Sequence, residues 1–240
     1  MKQLFLFTVI AAAFSLAACS KQSDPLGAGT TLHNSANAGA GYHIVPNGTY
    51  KGHSWSEWSN KWWQWAIEMP AGHNAIEGTA APETDQTGDV WFIGGLFGNG
   101  GTGTRSITLP KEKALFCAIL NYDGDTVGGF PTYSNLNTLL QGAWDGSMAH
   151  IETAEIDGHA VANVATDYFA PLTDFTIHGL PSNNVFGEPT YGNKSVNTYA
   201  ASLGDYLMID NFSEGAHTIH FTGSNTYGYS VDMTYNITVK

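Results

Sequence analysis

The sequence predicts a mainly β fold: an antiparallel β-sandwich, jelly-roll-like, with one Trp-rich helix and one further short helix. Three observations carry that expectation. Short stretches of strand character follow one another from residue 89 to the C-terminus, separated by Gly-, Asn- and Asp-rich turns. Only two segments place apolar residues at helical spacing. Charged residues make up only 12% of the chain, about half the usual share. With 28 Gly and 12% aromatics, that composition excludes a coiled coil and a charge-rich disordered chain.

The elements follow in chain order. Lys2 precedes an uncharged apolar run from Leu4 to Ala18. At about fifteen residues it is short for a bilayer span of ~20 and suits the core of a signal peptide. Leu16-Ala17-Ala18-Cys19 resembles the lipobox of bacterial lipoproteins. That resemblance implies a signal peptide over 1–18, cleavage after Ala18, and acyl chains of the palmitate class on Cys19. Ser20 stands where retention in the inner membrane usually shows Asp, so the same resemblance points to the outer membrane. Residues 19–41 then read as the lipidated Cys and a flexible tether rich in Ser, Gly, Ala, Asn and Thr, with an r.m.s. reach of ~26 Å. Residues 42–240 are expected to form a single β-sandwich domain.

The strongest helix signal covers 54–69. Ser54 and Glu57 make an S-x-x-E capping box, and Pro70 and Gly72 end the segment. Trp55, Trp58, Trp62, Trp65 and Met69 fall on a stripe about 80° wide, the expected docking face. Trp63 lies off it and is therefore a candidate binding residue. Strands are expected over 89–97, 104–109 and 113–120, then an Asp/Gly-rich loop over 121–129 and a second helix over 135–148. Asp157-Gly158 suits a type I′ hairpin between 151–156 and 159–164. Further strands are expected over 175–178, 205–210, 216–222 and 229–239.

Several motifs recur together in one known group. Trp58-x3-Trp62-Trp63-x-Trp65 is followed by Val90-Trp91-Phe92-Ile93-x-Gly95 and by Arg105-x3-Leu109-Pro110-x2-Lys113-Ala114-Leu115-Phe116. Gly215-x-His217-Thr218-Ile219-x-Phe221-x-Gly223 and Tyr235-Asn236-Ile237-x-Val239 close the chain. The run, over 54–240, resembles a group of exported bacterial proteins without an agreed activity. Many members carry a Cys before the Val-Trp-Phe strand and another two residues after the Arg; here the second position is Ile107 and no Cys lies between 70 and 90.

The chemistry-bearing residues are sparse. A balance of 9 Lys+Arg against 21 Asp+Glu gives a net charge of −12, which disfavours nucleic acid as a partner. The two Cys cannot form an intramolecular disulfide once Cys19 carries lipid, and Cys117 sits in an apolar run as a small hydrophobe. His53 and His73 flank the Trp helix and are candidate binding residues. His217 and His220 are three apart on a strand, so they face opposite ways and cannot share an ion. His150 and Glu152 share a strand face, but two ligands do not make a site. Asp85, Asp145, Glu152 and Asp205 are acids that could pair in space. Asn121, Asp123 and Asp125 sit at i, i+2 and i+4 as in a calcium loop, but Thr126 and Thr132 stand where Gly and Glu belong. Calcium is therefore a weak candidate; no other cofactor or metal and no catalytic residue is expected.

The expectation is a membrane-anchored envelope lipoprotein, attached through its N-terminal lipid and acting as a non-catalytic binding or structural module for a protein or glycan partner. The alternative is a secreted polysaccharide-active hydrolase or lyase. A concave face where two carboxylates converge beside Trp or Tyr would favour the alternative.

Overall fold

In a computed structural model, which describes residues 41–78, 83, 85–125, 133–147, 150–178, 181–185 and 198–240, the in–out alternation of half-buried strands runs through most of the chain. In chain order the elements are β1 (His43–Val45), β2 (Thr49–Tyr50), β3 (His53–Ser54), α1 (Trp55–Glu68), β4 (Val90–Ile93), β5 (Gly100–Leu109) and β6 (Ala114–Asp125). Next come α2 (Tyr133–Gly142), a π-helical turn (Ala143–Ser147), β7 (His150–Ile156), β8 (His159–Ala160) and α3 (Val164–Asp167). The chain ends with β9 (Phe169–Ile177), β10 (Thr198–Asp210), β11 (Gly215–Asn225) and β12 (Ser230–Val239). The fold is mainly β. The segments expected to form the signal peptide, the lipidated Cys19 and nearly all of the tether lie outside the described residues.

Two sheets face each other across one core. The first runs β1-β10-β6-β4, with β9 paired to the other half of the β10 edge that β1 occupies. The second runs β5-β12-β11-β7-β8. Leu115, Cys117, Leu207 and Ile209 of the first sheet meet Ile219, Phe221, Met233 and Tyr235 of the second. The Asp157-Gly158 hairpin forms as expected, with both residues at positive φ. Not every pairing is antiparallel: β4 runs parallel to β6, and β5 parallel to β12. The reason lies in the link between β4 and β5, which crosses from one sheet to the other instead of folding back as a hairpin.

Trp62, Arg105 and Tyr235, from three of the motifs quoted above, meet at that crossing. The Trp62 ring lies over Gly94, where a Cβ would sit 2.4 Å from the ring, and its indole N–H donates to the Ile93 carbonyl at 2.8 Å. Arg105 is buried and donates to the Ala75 carbonyl, to the Glu77 carbonyl at 2.9 Å and to the Tyr235 hydroxyl at 2.7 Å. Tyr235 passes the chain on by donating to the Gly94 carbonyl at 2.7 Å. The motif residues thus hold the sheets and the crossover together.

Helix α1 covers the outer face of the first sheet. Its Ser54 cap and Glu57 form the expected reciprocal box. Its buried arc is wider than the apolar stripe: Trp55, Trp58, Ser59, Trp62, Trp63, Ala66 and Ile67 are all buried, an arc of about 180°. Ser59 and Ala66 let the helix approach β10 closely, and Ser59 donates to the Tyr206 hydroxyl at 2.8 Å. Trp63 therefore packs into the second core with Phe116, Ala118 and Tyr206, and Trp65, at the opposite edge of the arc, is only half-buried. Because both faces of the first sheet are covered, β6 reads as a continuous apolar run from 114 to 120.

Candidate functional site

Two places in the molecule combine polar groups with unusual surroundings. The first is the end of the inter-sheet core. His150, Glu152, Ala154 and Ile156 alternate onto the inner face of β7, so His150 and Glu152 point toward the first sheet. From that sheet Asp205 points back among Leu203, Leu207 and Ile209. Register shifts beside Asp205, at Ser202/Gly204 against β9 and at Asp205/Tyr206 against β6, mark a local irregularity of the kind that re-aims side chains. Gly223, the β11 residue paired with Glu152, lets the sheets pinch together: a Cβ there would lie 3.0 Å from the Ile119 carbonyl. Gly204, at φ +151, lies where a Cβ would be 2.5 Å from the Asn121 backbone.

One donor atom from each of His150, Glu152 and Asp205 lies within 4.8 Å of the others. His150 Nδ1 and Glu152 Oε1 are 2.7 Å apart. Asp205 is 0% exposed and the Glu152 side chain likewise 0%, whereas His150 keeps 18% at the rim. Among the described residues, both Asp205 oxygens and Glu152 Oε2 have no hydrogen-bond partner. Burial, and next the Glu152 charge, push the Asp205 carboxyl up to about 8. Burial also raises Glu152, while His150 opposes that shift. Trp144 lies against His150 with centroids 4.3 Å apart and the rings tilted by 37°, and meets Tyr122 edge-on. Tyr122 accepts a hydrogen bond from Asn225 at 2.6 Å.

The second place is a groove of ≈ 550 Å³ between α1 and the segment leading into β4. Trp58, Lys61, Trp65 and Glu68 line its helical wall at i, i+3, i+7 and i+10, and Asp89 and Phe92 face them. Trp65 and Phe92 are half-buried with ring centroids 5.6 Å apart. Lys61 lies 5.9 Å from the Trp58 ring, and Asp89 pairs with Lys51 at 3.1 Å on the surface.

The residues singled out in the sequence are distributed differently. Trp63 is buried against Trp62 and presents no surface to a ligand. His53 packs edge-on to Trp58, and His73 is exposed past the other end of α1, so the two do not meet. Asn121, Asp123 and Asp125 belong to strand β6, not to a loop. Asn121 donates to the Tyr206 hydroxyl at 2.9 Å, and Asp123 is pushed up to about 8 by burial and then by the Asp125 charge. The loop geometry expected of a calcium site is therefore replaced by strand geometry. Cys117 is fully buried, and burial alone pushes its thiol pKa up. His217 is buried against Asp157 while His220 pairs with Asp232 on the opposite face.

The shared face of His150 and Glu152 was readable from their spacing. Asp205 could be named only as one of several scattered acids, because its approach depends on how two sheets pack. The groove was missed because Trp65 counted as part of the docking stripe.

No family model matches the chain, and no curated protein matches it. Among solved structures it is similar to amebosin (10% identity, 58% of this chain and 96% of that one, TM-score 0.19). It is also similar to the inhibitor PbICP-C in complex with falcipain-2 (11%, 64% and 100%, TM-score 0.27) and to the cysteine protease inhibitor EhICP2 from Entamoeba histolytica (11%, 58% and 94%, TM-score 0.20). Scores this low carry no argument about fold or function.

Proposed function

We propose that the protein is a lipid-anchored binding module of the bacterial envelope, held at the outer membrane through Cys19, that takes a neutral glycan in the groove between α1 and β4. The observation that carries the ligand is the pair Trp65 and Phe92, partly exposed in a groove that is also lined by the Lys61 ammonium and the carboxylates of Glu68 and Asp89. An aromatic face stacks on the apolar C–H face of a sugar ring, and mixed polar groups around it satisfy the hydroxyls. The lipobox and the tether support the anchoring. Among the described residues no helix is long and apolar enough to cross a membrane. The hydrolase or lyase alternative has weaker support: of the groove's carboxylates, Glu68 accepts from the His178 backbone N–H and Asp89 pairs with Lys51, while Glu152 and Asp205 beside Trp144 are buried beyond the reach of a polymer.

Calorimetric titration of the detergent-extracted protein with cello-, xylo- and chito-oligosaccharides tests the ligand. Binding of at least one, weakened about tenfold or more in Trp65→Ala, is the expected result. If all three series leave the heat signal flat, the glycan reading fails. Cys19→Ala tests the anchor: the protein should leave the membrane fraction or remain as uncleaved precursor. A mature variant still extracted only by detergent would refute lipidation.

A further inference from the structure

We propose that His150, Glu152 and Asp205 bind one divalent transition-metal cation, of the zinc and manganese class, between the two sheets. This site is separate from the groove and does not depend on the glycan reading. Three independent features point to it. One ligand atom from each residue already lies within 4.8 Å of the other two, and an ion with bonds of ~2.0–2.2 Å places its ligands roughly 3–4 Å apart, so the ion enters by opening the 2.7 Å hydrogen bond between His150 and Glu152 and drawing Asp205 slightly inward. Both oxygens of Asp205, and Oε2 of Glu152, are buried without a partner among the described residues, which is costly for a carboxylate unless a cation or proton meets it. Two carboxylates and a neutral imidazole carry a charge that one divalent ion cancels.

The ligand set selects the ion. An imidazole nitrogen with two carboxylates suits zinc, manganese or iron, whereas calcium takes six to eight oxygen ligands and magnesium keeps most of its water. The half-open His150 at the rim gives the ion its way in. Trp144, packed against the His150 ring, holds that ligand's orientation. Gly223 sets how closely Glu152 approaches β6 and hence Asp205.

The competing account of the same geometry is a proton held by the carboxyl pair. The test separates the two. Full-length protein in detergent is stripped with a chelator and titrated with Zn²⁺, Mn²⁺ and Ca²⁺, with Tm and stoichiometry read together, and with Co²⁺, whose visible bands report a nitrogen–oxygen ligand set. One equivalent of Zn²⁺ or Mn²⁺ should bind and raise Tm, and Ca²⁺ should not. Asp205→Asn and His150→Gln should each weaken binding at least tenfold, while Glu214→Gln, at an exposed carboxylate, binds as wild type. Should Asp205→Asn fail to fold, His150→Gln at the rim and the Co²⁺ bands of the wild type decide. Absence of bound transition metal would overturn the proposal in favour of the shared proton, and equal binding by His150→Gln or a Tm rise with Ca²⁺ alone would overturn it in favour of a cation held by other ligands.

Discussion

Two buried charged places lie in the same sandwich, and they are treated in opposite ways. At Arg105 the guanidinium is met by the carbonyls of Ala75 and Glu77 and by the Tyr235 hydroxyl, which is itself spent on Gly94. At Asp205 both oxygens are buried and unpartnered, and the nearest charge is another carboxylate. A buried polar group kept for architecture is hydrogen-bonded, because leaving it bare costs ~1–3 kcal/mol or more. The contrast separates a structural node from a place whose chemistry is completed by something else. It also gives three of the motif residues a physical role: Trp62, Arg105 and Tyr235 converge on Gly94 and maintain the crossover.

Breaking the Arg105 node is expected to have the largest effect. Arg105→Met removes the donor from two carbonyls and a hydroxyl at once, and should cost roughly 3 kcal/mol or more, read as a shift in the urea midpoint. Trp62→Ala, which uncovers Gly94 in the same node, should cost ~3–5 kcal/mol, as for other buried large aromatics. Metal-free Asp205→Asn should show no such loss, since it removes a carboxylate that nothing satisfies. If Asp205→Asn destabilises the metal-free protein as much as Arg105→Met does, the two places are alike and the contrast fails.

How far the sequence reached follows the same division. Features set by local chain geometry were legible: the Ser54–Glu57 cap, the Asp157-Gly158 turn, the opposed faces of His217 and His220, and the buried thiol of Cys117. Features set by contact between distant segments were not. The parallel pairings of β4 and β5 depend on a crossover that a Gly-rich turn does not announce. Trp63 was placed on the surface because large apolar residues define a stripe, while the helix docks through the small Ser59 and Ala66, which carry little apolar signal. The residues 121–125 read as a loop from their Asn, Asp and Gly content, yet β10 pairs with every one of them. In the candidate metal site, β7 gives two ligands by simple alternation and β10 gives the third only through the packing of two sheets.

A smaller effect comes from the outer end of β6. Asp123 is raised to about 8, first by burial and then by the Asp125 charge. Its carboxyl is therefore protonated in the fold well above its unfolded value of ~3.9, so its contribution is fully present below about pH 4 and is lost as pH rises toward 8. Asp205 shifts in the same direction. The metal-free protein should lose stability steadily across that window. Asp123→Asn, neutral throughout, should flatten part of the slope without touching the Arg105 node. Urea midpoints of the two proteins at about pH 5 and about pH 8 provide the measurement, and identical slopes would show that Asp123 ionises freely.

The smallest effect on stability, and the largest on binding, is expected at Trp65. It shares α1 with Trp62, but the two rings stand in different physical situations. The Trp62 ring is buried over Gly94 with its N–H engaged by Ile93, so truncation opens a cavity in the core. Trp65 is partly buried at the rim of the second core beside Phe92, with part of its ring facing the groove, so truncation removes fewer core contacts than at Trp62. Trp65→Ala should therefore cost less than Trp62→Ala, about 1–2 kcal/mol, while removing the aromatic face of the groove. Thermal unfolding of the two variants, run beside the oligosaccharide titrations, resolves the roles. A stable Trp65→Ala protein that no longer binds fits the groove as the ligand site. A Trp65→Ala protein that melts as early as Trp62→Ala would make Trp65 a core residue and remove the basis for placing a ligand there.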